Sequence, residues 1–448
     1  MEAPQELEPL ASAALRRRFP QLAVALDADE MRGHLQRLLL DGTGLVALSC
    51  ARPRAEVDGD VCWLQYPLRI DGAPDGSRDL LVLGAMFADP DGAGRYERTV
   101  LAPPSARWAA RRTGGPRRSG VLPWLHLAVS VFPVNGPLPT VVDATDERRV
   151  SAVLRDHLGA AGEAAVVTGI DLVSFRRSGG CVLRYGVASC GAHSTVFGKI
   201  GYAGAGGLVR ETLLALGACG GTPAGRPIVY PQVLGHAAEL DLVLIAGVPG
   251  VRPDLREETG LDAAVEAAAL VAAALHTSGV SAGRHHTLDD ELERARRAVG
   301  GIDGDAPGLA AWLAAVLDRV STPALQPPRP PALAHGDLTP SQLLLDGSRI
   351  GIVDFDGLCQ AEPAFDLGRF LAYLRLALAK VGRVNADVLA SRLSAAYQAA
   401  GAEPVADERV ELSGILALVQ TAAHGWRELK PARLRLACSV LEDRLGRL

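Results

Sequence analysis

The chain has 448 residues, of which 48% are hydrophobic and 22% are charged, and its formal net charge is −5. This length accommodates two or three domains with buried cores, and the apolar content excludes a disordered protein. The mildly acidic balance and the 4% of aromatic residues argue against a nucleic-acid-binding protein, which needs a basic face and stacking platforms. Only three residues are lysines, Lys199, Lys380 and Lys430, so a function that requires a lysine has few candidates.

Cysteine usage and the N-terminus bear on the compartment. The seven cysteines are widely spaced and never form a CxxC pair, which favours neither a disulfide framework nor a zinc site. The sequence MEAPQELEP lacks the pattern of a signal peptide. The apolar run 261–275 is interrupted by Asp262 and Glu266 and is too short to span a bilayer. We therefore expect a soluble, cytoplasmic protein without a membrane partner.

A helix-plus-strands pattern occurs twice in the first half of the chain. After helical segments within 1–26 and 28–40, three β-like runs follow, LVALSC, DVCWLQYPLRI and DLLVLGAMF. An amphipathic helix at 146–158 is again followed by three runs, IDLVSF, CVLRYGVASC and TVFGKIG. The strands align so that Ala85 of the first copy corresponds to Lys199 of the second. We interpret this as a degenerate internal duplication, the alternative being chance agreement between two β-hairpins.

The remaining composition divides the chain into a β-rich first part and a helical second part. Residues 103–120 are rich in Pro, Gly and Arg, which predicts an exposed loop between the two copies. Beyond about residue 250 the periodicity predicts a series of helices at 261–276, 287–299, 308–321, 367–381, 385–400, 408–423 and 431–445. A β-rich insertion at 332–355 interrupts them.

The insertion carries the most informative polar residues. Asp337 is followed five positions later by Gln342, and then by a hairpin whose turn is Asp346-Gly347. Asp354 follows the second strand, so the hairpin brings it back to Asp337 and Gln342. Two carboxylates and an amide oxygen are hard ligands suited to Mg²⁺ that bridges phosphates. Protein kinases use the same order of residues, and phosphoryl transfer needs this positioning, charge neutralisation and a base.

With its HGD, DFD and DLG motifs, the sequence resembles the aminoglycoside phosphotransferase/choline kinase family over roughly residues 150–440. The resemblance extends to its maltokinase-like branch, in which a similar Gln appears. The resemblance implies a protein-kinase-like bilobal α+β fold with a β-rich N-lobe and a mainly helical C-lobe. The first copy adds an N-terminal α/β cap that looks like a degenerate repeat of the N-lobe unit. The predicted domains are the cap, 1–145, the nucleotide-binding N-lobe, 146–248, and the helical C-lobe with the catalytic and metal-binding loops, 249–448.

The resemblance also implies roles for individual C-lobe residues. Asp337 corresponds to the catalytic base and Asp354 to the aspartate that binds Mg²⁺. Gln342 replaces the usual Asn ligand and is one methylene longer. Asp366 corresponds to a buried aspartate that braces the catalytic loop, and Asp356 either reaches a second metal ion or is hydrogen-bonded in its turn.

In the N-lobe the resemblance implies a nucleotide site. Lys199 resembles the strand lysine that holds the α/β-phosphates, and Glu211 is a candidate ion-pair partner, the alternatives being a solvated lysine and a surface glutamate. Ala246 and Val248 lie in the segment that resembles the adenine-binding hinge. The turn at 176–180 is a further candidate for phosphate contacts. The implied cofactors are ATP, with GTP not excluded, and Mg²⁺.

The spacing between two aspartates bears on the acceptor. Only eleven residues separate Asp354 from Asp366, which leaves no room for the activation loop of a protein kinase. We therefore expect a small-molecule kinase whose acceptor is a hydroxyl of an aminoglycoside, a sugar or a related metabolite. The sequence makes no prediction of the oligomeric state. The alternative is a non-catalytic, pseudokinase-like nucleotide-binding regulatory protein, which Gln342 and the lysine-free first copy motivate.

The late helices carry candidate acceptor contacts. The acidic residues there either bind a cationic aminoglycoside or are ordinary surface charge; they are Glu362, Asp387, Glu428 and Asp443. His424 and Trp426 either stack on a sugar or, in the case of the tryptophan, belong to the core.

Overall fold

The computed structural model describes residues 6–72, 79–110, 115–158, 165–176, 180–189, 192–201, 206–219, 226–321, 328–382 and 386–446. The cap contains α1 Ala13–Arg18, α2 Leu22–Leu26, α3 Ala28–Leu35, β1 Val46–Cys50, β2 Arg54–Asp58, β3 Val61–Asp71, β4 Asp79–Phe87, α4 Gly92–Tyr96, α5 Ala102–Ala109, β5 Ser119–Leu122, β6 Leu127–Val131 and α6 Val141–Ala144. The N-lobe contains α7 Glu147–Leu158, β7 Val166–Arg176, β8 Gly180–Ser189, β9 Ala192–Ile200, α8 Gly206–Cys219, β10 Ile228–Val229, β11 Val233–Ala237 and β12 Leu242–Ala246.

The C-lobe is mainly helical, as predicted. Its elements are α9 Glu258–His276, β13 His285–His286, α10 Leu288–Asp303, α11 Pro307–Ser321, β14 Ala332–Ala334, β15 Leu343–Asp346, β16 Arg349–Ile352, β17 Cys359–Ala361, α12 Ala364–Lys380, α13 Ala386–Ala399, α14 Asp407–Arg427 and α15 Pro431–Leu445. Helix α9 is long and apolar enough to cross a membrane by composition, but it is a largely buried helix of the C-lobe core.

The predicted loop at 103–120 is wrong in part. Residues Ala102–Ala109 form α5 and Ser119–Leu122 form β5. Pro103 and Pro104 lie in the first turn of α5, where a missing backbone N–H leaves no hydrogen bond unmade. Trp108 then packs with Val134 and Val142 in a small core.

The cap sheet and the N-lobe sheet share a five-strand path, to which the cap adds β2 beside β3. Their strand orders are β1-β3-β4-β6-β5 and β7-β8-β9-β12-β11. The registers also agree, because Ala85 pairs with Trp63 in the cap as Lys199 pairs with Val182 in the N-lobe. In both sheets a 3₁₀ turn ends in a left-handed residue, His126 with φ 48° in the cap and Asp241 with φ 49° in the N-lobe. The predicted duplication is therefore present in the backbone.

The hydrophobic cores join the cap to the C-lobe. One continuous core contains buried residues of the cap together with those of α10, α11, α14 and α15, whereas the N-lobe sheet has a separate core with α7. Arg427 of α14 adds polar contacts by donating to the carbonyl of Val57 at 3.0 Å and to Asp58 at 3.1 Å. The cap is thus packed onto the C-lobe, which holds it at a fixed distance from the catalytic loop.

Candidate active site

The catalytic loop is held in place by a buried carboxylate. Asp366, fully buried at the start of α12, accepts hydrogen bonds from the backbone N–H groups of His335 at 2.7 Å and Gly336 at 2.9 Å. His276 of α9 lies 3.3 Å from the same carboxylate and 2.9 Å from the hydroxyl of Tyr397. Burial opposes ionisation of Asp366, but the contact with His276 outweighs it and keeps the pKa of the carboxyl below its usual range. This is the bracing role that the resemblance implies for Asp366.

A glycine allows the HGD and DFD segments to meet. Gly336 has φ +78°, and a Cβ at this position would lie 1.9 Å from the carbonyl oxygen of Gly357. No other residue fits such a close backbone approach. The contact places Asp337, which follows Gly336, beside the loop that begins at Asp354.

Asp337 has two side-chain partners. Arg369 donates from Nε to one carboxylate oxygen at 2.8 Å, and Gln342 donates from Nε2 to the other at 3.2 Å. The Asp337 side chain is 39% exposed, so it remains open to the cleft. Arg369 and Gln342 therefore orient the carboxylate, which stays accessible from the cleft, as a base for an incoming hydroxyl must be.

Arg369 and Glu291 were missed by sequence reasoning. Glu291 of α10 is buried, and it accepts from Gln420 at 2.7 Å, contacts His286 at 2.8 Å and lies 3.7 Å from Arg369. It anchors the guanidinium that orients Asp337. The available signal was the position of Arg369 one helical turn after Asp366, which places both side chains beside the catalytic loop.

For the phosphoryl transfer that the sequence predicts, we expect Arg369→Met to lower kcat by about 10- to 100-fold, the equivalent of one hydrogen bond to a charged group. The variant leaves Asp337 without its oriented donor, so the KM for ATP should change little. Steady-state kinetics of phosphoryl transfer measures both constants. Arg297→Met, on the exposed face of α10, is the matched control. An unchanged kcat in Arg369→Met would contradict a positioning role.

The Gln342 side chain is hydrogen-bonded both to Asp337 and to the backbone of its own loop. Its Oε1 accepts from the backbone N–H of Thr339 at 2.8 Å, while its Nε2 donates to Asp337. The longer amide thus closes a capping box and orients the carboxylate. Its role as a metal ligand stays a prediction, and the structure adds this positioning role.

Lys199 reaches from the N-lobe to the loop that begins at Asp354. The ammonium of Lys199 is ion-paired with Asp354 and, at 2.6 Å, with Asp356. Burial alone lowers the pKa of Lys199, but the carboxylates of Asp356 and Asp354 outweigh it and raise the pKa. Burial likewise opposes ionisation of Asp354, and the nearby Lys199 reverses this and lowers the pKa of that carboxyl. Ionised carboxylate oxygens are suited to Mg²⁺. The neighbouring ammonium group is suited to phosphates.

The structure does not place the other predicted nucleotide-site residues, Glu211, Ala246 and Val248, beside Lys199. Glu211 is exposed on α8 and is not brought to Lys199, whose carboxylate partners come from the C-lobe instead. The N–H of Ala246 donates to the carbonyl of Gln232 at 2.9 Å, so a bond from this group to adenine would have to replace that contact. Val248 lies in the connection to the C-lobe, next to β16. Residues 177–179 of the predicted phosphate turn are outside the described residues.

A cleft of 640 Å³ lies beside Asp337 and Asp354. Asp337, Gln342 and Asp354 line its floor, and residues from the cap sheet and from α14 line its walls. His424 is one of the wall residues, whereas Trp426 is buried in the core. The volume lies within the range for sites of drug-sized ligands.

The acidic residues of the late helices are largely neutralised. Glu362 is ion-paired with Arg409, and Glu428 is ion-paired with Lys430 and Arg433. Asp443 is exposed on α15, and the side chain of Asp387 lies outside the part that the structure describes. Of the four, only Glu428 is among the described residues that line the cleft.

Comparison with known proteins agrees with this geometry. Residues 208–407 match the family model described as "Phosphotransferase enzyme family". No protein of curated function matches the chain by sequence. Choline kinase from Cryptosporidium parvum Iowa II is a similar solved structure, with 9% identity, a TM-score of 0.51, and coverage of 68% of this chain and 96% of that chain. This likeness confirms the predicted protein-kinase-like fold, and the family-model match to residues 208–407 bears out the predicted resemblance.

Two further solved structures are similar over a comparable length. The choline/ethanolamine kinase family protein from Mesorhizobium loti has 17% identity and a TM-score of 0.44, covering 66% of this chain and 94% of that one. The GDP complex of aminoglycoside 2'-phosphotransferase-IIIa has 18% identity and a TM-score of 0.41, covering 67% and 99%. The maltokinase-like branch stays a prediction.

Proposed function

We propose that the protein, whose residues 208–407 match the phosphotransferase enzyme family model, transfers the γ-phosphate of ATP to a hydroxyl group of a small molecule. The observation that supports this best is the placement of Asp337 and Asp354 in one cleft, with Lys199 ion-paired to Asp354. These residues come from two lobes, and together they supply a base, a metal-binding carboxylate and a phosphate-binding cation.

In the proposed reaction the acceptor oxygen attacks the γ-phosphorus and forms a new P–O bond. The bond between that phosphorus and the β–γ bridging oxygen breaks, and ADP leaves with the electron pair. The acceptor proton moves to the carboxylate of Asp337, which Arg369 and Gln342 hold in position. Because little covalent chemistry is asked of the protein, orientation and charge neutralisation carry most of the rate enhancement.

The nucleotide side depends on Lys199 and the aspartates that now pair with it. When bound, Mg²⁺ neutralises charge on the β- and γ-phosphates, and Asp354 is the carboxylate placed to hold it. Asp356 lies on the same loop within reach of Lys199. Lys199 then turns from the carboxylates to the α/β-phosphates, which keeps its charge compensated throughout.

Lys199→Met should lower kcat/KM for ATP by about 100-fold, comparable to the loss of one preorganised donor to a reacting group. The side chain keeps its length but loses the ammonium that contacts phosphate. Lys380→Met is the matched control, since Lys380 is exposed at the end of α12. Titration of both variants with ATP, followed by initial-rate measurements, gives the comparison. Equal activities of the two variants would remove Lys199 from the nucleotide site.

Phosphorylation assays test the function itself. Purified protein is incubated with ATP or GTP, Mg²⁺, and a panel of neutral sugars, amino sugars, aminoglycosides and choline, and labelled phosphate on the acceptor is measured. Transfer that requires Asp337 supports the proposal. The regulatory alternative instead predicts nucleotide binding without transfer to any acceptor, and that outcome would overturn the enzyme assignment.

A further inference from the structure

The cap sheet presents to the cleft the face that is equivalent to the Lys199 face of the N-lobe sheet. Ala85 occupies the register position of Lys199, and Trp63 occupies the position of Val182. Ala85 and Trp63 both line the cleft whose floor is Asp337. The first copy has thus kept the orientation of the sheet toward the catalytic residues while losing the phosphate-binding cation.

The β3 side chains on this face are aromatic or uncharged, whereas the β2 residues opposite them, Glu56 and Arg54, are charged. Alternate residues of β3 point into the cap core, as Leu64 and Tyr66 do, and leave Trp63 and Gln65 on the cleft side. Gln65 stands where the N-lobe has Arg184. Its amide nitrogen donates to the carbonyl of Phe175 at 3.1 Å, so the amide oxygen is the group that it can offer to a ligand.

Tyr96 extends the aromatic surface. Its ring meets that of Trp63 edge-on, with centroids 5.9 Å apart, and it also lines the cleft. Aromatic side chains with an apolar body and a polar tip suit the faces of ring compounds whose edges carry hydroxyl groups. On the opposite wall, His424 has a pKa lowered by burial and by Arg427, which favours the neutral imidazole. A neutral imidazole both donates and accepts hydrogen bonds.

Two carboxylates of these walls are paired within the protein, and Arg54 and Arg252 add positive charge to the same lining. Glu56 of the cap is paired with Arg427 at 3.4 Å, and Glu428 with Arg433 at 2.8 Å. A polycationic acceptor would have to break such pairs before it could use the two carboxylates. A neutral acceptor leaves them intact, and the described walls therefore favour an uncharged ligand.

The cap wall is also fixed relative to the catalytic loop. It shares its core with α10 and α14, the helices that carry Glu291 and His424. The space between Trp63 and Asp337 is therefore set by packing and exists before an acceptor binds. Preorganised walls reduce the entropic cost of orienting a reactant toward the base.

From these contacts, and resting on the proposed function, we infer that the cap is the acceptor-binding lobe and that its acceptor is an uncharged, hydroxyl-rich ring compound. Trp63 supports one ring face, Gln65 accepts from a hydroxyl, and the reacting hydroxyl faces Asp337. Duplication thus supplied both walls of the site, one for the nucleotide and one for the acceptor.

The test measures acceptor kinetics for glucose, maltose, glucosamine, kanamycin and choline. For the neutral sugar that the wild type uses best, Trp63→Ala should raise the acceptor KM at least about tenfold, leave the KM for ATP unchanged, and be partly rescued by Trp63→Phe. Trp124→Ala, at a 59% exposed cap tryptophan, is the matched control. Preferential use of kanamycin or choline by the wild type, or an unchanged acceptor KM in Trp63→Ala, would overturn the inference.

A second variant guards against misfolding of the first. Gln65→Glu adds a carboxylate to the wall, opposite Arg54 of β2, with little change of shape. It should shift the kcat/KM ratio of glucosamine over glucose upward by about tenfold or more. An unchanged ratio would contradict contact between Gln65 and the acceptor. If the wild type phosphorylates nothing, the proposed function fails and this inference fails with it. Transfer that is insensitive to Trp63 and Gln65 overturns this inference alone.

Discussion

Replacement of Asp337 by Asn is expected to lower kcat for phosphoryl transfer by about 10²- to 10⁴-fold, the usual contribution of a positioned general base. The amide has the shape of the carboxylate but cannot take the acceptor proton. Arg369 and Gln342 still surround the side chain, so the loop should keep its conformation. ATP binding, which we propose to depend on Lys199 and Asp354, should be preserved. Single-turnover transfer, together with calorimetric titration of ATP, separates the two effects.

Asp346→Asn provides a matched control for this substitution. Asp346 lies at the turn of the β15–β16 hairpin, where its ion pair with Arg349 is on the surface. The same chemical change there should leave kcat and ATP affinity unaltered, since exposed pairs contribute little. A kcat for Asp337→Asn within threefold or so of the wild type would show that the proton leaves by another route.

The catalytic loop was predictable because its geometry is local. A hairpin returns the chain to its starting point, so the positions of Asp337, Gln342 and Asp354 along the sequence fix their proximity in space. The bracing role of Asp366 followed from the resemblance, and the backbone hydrogen bonds to it agree. These residues lie within about one supersecondary unit, in which local pattern and tertiary structure agree.

The contacts between lobes were not predictable from the sequence. The ion pair of Lys199 with Asp354 joins residues that are 155 positions apart, and the resemblance led instead to Glu211, which is nearer in sequence and exposed. The anchoring of Arg369 by Glu291 likewise depends on how α10 packs against α12. Relative placement of elements follows from complementary core shapes, and no single segment encodes it.

The placement of the cap shows the same limit in a different form. The alignment of Ala85 with Lys199 predicted that the first copy lacks a phosphate-binding cation, and the register agrees. It could not show that this face is turned toward Asp337. That orientation results from the core that the cap shares with α14. The apolar residues of that core do not indicate, from the sequence alone, which element they pack against. The sequence thus indicated what the cap had lost, and only the packing indicates what it contacts.

Asp366→Asn is expected to destabilise the C-lobe by about 3 kcal/mol or more, in the range for removal of one partner from a buried pair. One carboxylate oxygen becomes an amide group that faces the backbone N–H of His335 or Gly336, where two donors then meet. Urea denaturation followed by circular dichroism gives the loss of stability. Asp346→Asn, exposed at the hairpin turn, should change it by well under about 1 kcal/mol.

The loss in Asp366→Asn should also depend on pH in a defined direction. The pKa of Asp366 is lowered in the folded protein despite its burial, because His276 and the backbone donors stabilise the carboxylate. Its contribution is therefore fully present above the pKa of an unfolded aspartate, about 3.9, and is lost as the pH falls toward the folded value. The difference in unfolding free energy between wild type and variant should be constant from about pH 5 to 8 and shrink below about pH 4. A difference that grows on acidification would mean that Asp366 is protonated in the native state, and the loop would then be held by a neutral carboxylic acid.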